Sequence, residues 1–203
     1  MRGLWFILVA IPFISNANSR VELSGAYTRE DSIALMEAFD KAMTAVDMLN
    51  REIEEIASLP SSERETAWNR SAHLGYWLGS HEKMKKAFKI IRRIHKRFQG
   101  KVEFKIKKEN KGRCKGWISA WTIPYGKSKI RLCEDFFLYR THLQEKVIVH
   151  EMGHEAGLPF HHRIHGCRSA RRAAGITRRN LAKRSPENYA WLAMSFLGKS
   201  CDF

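Results

Sequence analysis

The stretch His150-Glu151-Met152-Gly153-His154 restricts the folds open to this chain more than any other, because its spacing has chemical meaning only on a helix. There, residues i and i+4 stand one above the other and the residue at i+1 lies beside them, so two imidazoles and a carboxylate converge on one point. The flanking residues agree with a helix of about four turns. Leu143, Val147, His150, Glu151 and His154 keep the 3.6-residue rhythm of one face. Thr141-His142-Leu143-Gln144 has the form of a capping box, and Gly157 and Pro159 are stop signals. Imidazole nitrogens suit Zn²⁺, and a catalytic zinc site keeps three protein ligands plus a water. His150 and His154 are the expected ligands. Glu151, beside the metal rather than on it, is the expected base for the water proton.

The ends and the cysteines suggest a compartment. Met1-Arg2, the apolar run Leu4 to Ile14 and then Ser15-Asn16-Ala17 have the charged, hydrophobic and small-residue parts of a secretory signal spanning 1–17, with cleavage as late as 19. A chain of 203 residues, 44% hydrophobic, has material for one substantial core, so 20–203 is expected to be a single domain. No later apolar stretch is long enough to span a membrane, so the mature chain is expected to be secreted, extracellular or periplasmic, and monomeric. Cys114, Cys133, Cys167 and Cys201 all follow the signal, and an even count there reads as two disulfides in one of three connectivities. No C-x-x-C supports a zinc ribbon.

The formal charge of +15 implies attraction to an anionic surface or an acidic protein. Lys83 to Lys111 and Arg168 to Arg184 carry much of it. No RNA-binding signature, Gly-rich phosphate loop or basic zipper is present, so no specific nucleic acid is expected.

Periodicity orders the remainder. Ile33 to Ile56 recur at helical spacing, predicting one helix over 31–59 that stops at Pro60; a second runs from Ser62 towards Leu78, and a third from Ser80 or His81 through Phe98. Residues 102–106 alternate apolar and charged, 117–123 are rich in β-formers and 129–133 make a short third strand, all before the His150 helix. Residues 18 to about 30 read as a short tail. Arg168 to Lys183 and Pro186 to Leu197 read as closing helices, the last begun by Ser185-Pro186-Glu187 as cap, first-turn proline and N-terminal acid.

This order of pieces resembles the aspzincin metallopeptidases, the group that includes deuterolysin and the fungal peptidyl-Lys metalloendopeptidases. The likeness runs through Trp77-Leu78-Gly79, the Cys114 hairpin, residues Ile130 to Phe137, the His150 motif and Pro186-Glu187-Asn188-Tyr189-Ala190-Trp191. It implies an α+β, mainly helical zincin-like domain with a small antiparallel sheet before the active helix and the sheet edge lying above it. It also implies a zinc metalloendopeptidase acting on a peptide or protein substrate through a zinc-activated water. Aspzincins follow the motif with G-T-x-D-x-x-Y-G, whose Asp binds zinc and whose Tyr faces the reacting carbonyl. Anchored on Gly166, those positions are His162 and His165, while Pro159-Phe160 replaces Gly-Thr. His162 is thus the first choice for third ligand, His161 the second and Glu187 the third; His165 is placed to donate a hydrogen bond to the oxyanion. A metzincin spacing, which Gly157 fits, would put the ligand on Phe160. Glu155 and Asn188 are the candidates for orienting the two histidines.

Cys114 and Cys133 bracket the expected hairpin and should pair, leaving Cys167 and Cys201 to hold the loop of the third ligand. Ala156 to Pro186 contains no acid and eight Arg or Lys residues, which favours neutral or acidic residues beside the cut bond. Two alternatives stand: an inactive zinc-binding homologue attached to anionic surfaces, which the missing aspartate and tyrosine motivate, and a zinc amidase acting on cell-wall peptides, where the +15 charge would aid attachment to an anionic envelope.

Overall fold

The computed structural model describes residues 20–107, 112–114, 118–122, 129–138, 141–159, 164, 166–175 and 181–200. The expected signal segment therefore lies outside the described residues, as do His161, His162, His165 and Cys201. Strand β1 (Val21–Gly25) leads into the long helix α1 (Arg29–Ser58), followed by α2 (Ser61–Arg70), α3 (Leu74–Leu78) and α4 (Met84–Gln99). Strands β2 (Val102–Lys107), β3 (Ala120–Thr122) and β4 (Lys129–Cys133) come next, then α5 (Glu134–Leu138), α6 (Thr141–Glu155), α7 (Cys167–Gly175) and α8 (Pro186–Phe196). The arrangement is α+β and mainly helical, as the resemblance implied.

α1 begins at a reciprocal capping box, Thr28 with Asp31. Leu35, Phe39, Ala42, Val46, Leu49, Ile53 and Ile56 then turn inward at helical spacing. Phe39 links three elements, its ring lying 5.3 Å from Phe98 of α4 and 6.0 Å from Phe104 of β2. The second expected helix is broken in two at Ser71, whose hydroxyl accepts from the Leu74 N–H and begins α3.

The sheet corrects two expectations. Its order is β1-β2-β4-β3, and only β3 and β4 are antiparallel; β1 with β2 and β2 with β4 are parallel. Alternation of apolar residues fixes which face is buried but carries no information on strand direction or neighbours. β4, with Ile130, Leu132 and Cys133 buried, takes the interior position, and the three-residue β3 becomes the edge. The expected tail contains β1, in which Val21 and Leu23 pair in register with Val102 and Phe104. On the inward face Phe104, Ile106, Ile130 and Leu132 are fully or almost fully buried against the helices.

The closing helix α8 is central rather than peripheral. Tyr189, Ala190, Leu192, Ala193 and Met194 are fully buried, and Trp191 stacks on Trp77 with centroids 6.1 Å apart. Ser185 caps α8 and Pro186 occupies its first turn, as read from the sequence. α8 crosses α6 at Gly153, where an added Cβ would sit 3.0 Å from the Pro186 Cβ and 3.2 Å from Leu158 Cδ1. The middle glycine of the His150 motif is thus a packing residue that lets the start of α8 approach the two histidines.

Candidate metal centre

Ile148, Val149 and Met152 fix α6 in the core, which turns His150 and Glu151 toward a cleft of about 360 Å³. Lys146, Gly166 and Glu187 line it from the helical side, and Ile118, Ser119 and Ala120 from the strand side. The edge strand is held over the helix by the Thr122 hydroxyl, which donates to Glu155 at 2.6 Å. His154 lies one turn beyond His150, the two rings being 5.0 Å apart and inclined at 72°.

Each ring is oriented through its Nδ1. That of His154 is 3.1 Å from the Leu158 carbonyl, and that of His150 is 2.8 Å from Glu187 Oε2. A carbonyl only accepts, so the His154 proton belongs on Nδ1 and the basic lone pair on Nε2. Ionised Glu187 imposes the same tautomer on His150. This is the arrangement a metal-binding histidine requires, with the outer nitrogen anchored and the other left as donor.

Glu187 is nearly inaccessible, yet it is fully partnered. Lys146 Nζ, the Gly166 N–H and Trp191 Nε1 all donate to its Oε1 at 3.0 Å, in addition to the His150 contact. Burial opposes its charge, but Lys146 and the hydrogen bonds from His150 and Lys146 hold the carboxyl well below the usual carboxylate range. The sequence explained this residue by helix-start charge and ranked it third as a ligand; its place is behind His150, on the outer nitrogen. Asn188 does not orient a histidine either, since its amide donates to the carbonyls of Trp77 and Ala170 and ties α3 and α7 to α8. No local signal could have found the Glu187 contact, because it joins positions on two helices far apart in sequence.

Glu151 is 6% exposed, and burial pushes its carboxyl up to about 7 against the opposing pull of His150 and Lys146. Its Oε2 has no hydrogen-bond partner among the described residues. A buried carboxyl that exchanges its proton near neutral pH and keeps one oxygen uncommitted is suited to acid–base work.

Two imidazoles and no third ligand are brought together: among the described residues no group of three or more His, Cys, Asp or Glu side chains is poised for a metal. The flanks of the 160–165 segment are described. Leu158 and Pro159 follow α6 on one flank, and on the other Gly166 lines the cleft and donates to Glu187. The Cys114–Cys133 disulfide is formed as expected. Cys167 is also disulfide-bonded, and its expected partner Cys201 lies outside the described residues.

A solved zinc peptidase from Grifola frondosa superposes on the chain with a TM-score of 0.65, covering 86% of this chain and 100% of the other at 14% sequence identity. The chain has a zinc-peptidase fold. No protein-family model matches the sequence, and no curated protein matches it. Among the described residues no helix is long and apolar enough to cross a membrane.

Proposed function

We propose that the chain is a secreted zinc-dependent metalloendopeptidase, with His150, His154 and His162 as metal ligands and Glu151 as general base. The observation that carries this reading is the pair of anchored Nδ1 atoms, with His150 and the buried Glu151 lining an open cleft. That donor set fits Zn²⁺, which when bound would polarise a peptide carbonyl and acidify a water ligand to near neutrality.

An extended peptide would lie along β3, whose outer side has no strand partner among the described residues. Glu151 takes a proton from water and returns it to the leaving amine, its buried carboxyl keeping Oε2 free of any hydrogen-bond partner among the described residues. His165 donates to the oxyanion of the attacked carbonyl. Lys146 and Glu187 do not touch the substrate; they hold the ring of His150. Gly166 at the cleft wall supports a third ligand from 160–165, and the Cys167 disulfide fixes the base of that segment. The signal-like residues 1–17 and the two expected disulfides support an oxidising, extracytoplasmic destination.

The test uses mature protein, residues 20–203, assayed for zinc content and for cleavage of a mixed peptide library. Chelation should abolish cleavage. Glu151→Ala should keep zinc and fold yet lose activity by about 10²-fold or more. Undiminished cleavage by that variant would refute the mechanism.

A further inference from the structure

The sheet face turned away from α6 carries a cluster that the proposed chemistry does not use. Arg131 of β4 and Arg113 of the 3-10 turn Gly112–Cys114 both place their guanidinium carbons over the ring of Trp121, at 4.1 and 4.7 Å. One cross-strand arginine on a tryptophan is an ordinary stabilising pair. A second on the same ring adds like-charge repulsion, which such a pair does not require. The Cys114–Cys133 bridge holds Arg113 beside β4, so its position is imposed by the covalent frame. Neither arginine has a carboxylate partner among the described residues. Glu103, on the same face, is taken by Lys129, while Lys105 stands in register with Arg131 and extends the positive row.

Trp121 lies on the edge strand, next to the cleft residue Ala120 and opposite Arg131 in the β3–β4 register. A strand added along β3 alternates its side chains between the two faces of the sheet. Those on the α6 side enter the cleft. The one opposite Trp121 falls on the other face, beside the indole and its two cations.

We infer that Arg113, Trp121 and Arg131 form a recognition shelf for an aspartate or glutamate of the bound peptide, so that the substrate class is acidic peptides. The inference rests on the peptidase reading for its occupant, and it assigns specificity to a face of the sheet that the metal site does not touch.

Binding and cleavage test it separately. Binding of paired peptides that differ only by Glu or Gln at one position is measured by calorimetry on zinc-loaded Glu151→Ala protein, with the position scanned along the peptide. The Glu peptide should bind about tenfold more tightly at one position, with weaker gains two residues away on the same face. The combined Arg113→Gln and Arg131→Gln change should remove that ratio. Lys89→Gln with Arg93→Gln, a charge-matched change on the exposed face of α4, should leave it in place. A ratio that survives loss of the two arginines, or falls equally in the α4 control, overturns the shelf. Acidic-peptide binding that depends on the two arginines, with no cleavage of any peptide by unmodified protein, would support the shelf and sink the peptidase.

Discussion

At the scale of single residues, Glu187 is the side chain on which the site depends most after its own reacting groups. Glu187→Gln keeps the shape but removes the charge that sets the His150 tautomer, so zinc affinity should fall by about 10- to 100-fold, measured by competition with a chromophoric chelator. Affinity unchanged within twofold would show that His150 needs no anchor. Glu145 behaves in the opposite sense. Burial raises its carboxyl above 4.5 despite Lys41 and Lys199, and its Oε2 has no partner among the described residues. A carboxylate raised by folding contributes fully below its unfolded value, and that contribution is lost as pH rises through the folded value. Glu145→Gln should therefore be more stable than the parent near neutral pH, with the gain disappearing below about 4.5. Denaturant titrations across that range check it, and a gain independent of pH would contradict the assignment. The His150 motif was legible because helix periodicity brings its members together without help from the rest of the chain. Glu187 was not, since only the crossing of α6 and α8 makes it a neighbour.

At the scale of elements, that crossing can be tested at Gly153. Alanine there gains up to about 1 kcal/mol in helix propensity, but the new methyl meets the Pro186 Cβ and Leu158 Cδ1 inside contact distance. Overpacking of this kind costs about 1–3 kcal/mol. Gly153→Ala should thus lose on the order of 1 kcal/mol net and weaken zinc binding as well, since relief comes by moving Glu187 away from His150. A variant more stable than the parent, with zinc affinity intact, would show that the crossing has slack. Replacing Cys114 and Cys133 by serine opens a bridge spanning 19 positions and should cost about 3 kcal/mol, read from melting under non-reducing conditions. α1 and α4 were readable to within a few residues because they show their buried stripes openly, whereas the break at Ser71 between α2 and α3 was not. The sheet was less so: β3 and β4 follow one another in sequence and do pair, but the insertion of β4 beside β2 and the recruitment of β1 depend on contacts that span the chain.

At the scale of the whole molecule, the charge of +15 acts over a distance set by ionic strength, about 8–10 Å in physiological salt. Capture of an acidic peptide should slow as salt rises, lowering kcat/KM, whereas a neutral peptide should show little change. Equal salt dependence for both would mean that the charge acts on something other than encounter. The pairing of β1 with β2 has a further consequence, for the order of events during folding. Val21 cannot find its partner until Val102 has been made and everything from α1 to α4 lies between them. Closing so long a loop is entropically expensive and slow, so this strand should dock after the helices have formed their own local contacts. Until then the chain has an unpaired N-terminal segment and an uncovered edge on β2, a state in which a nascent polypeptide is open to chaperones and to misassociation.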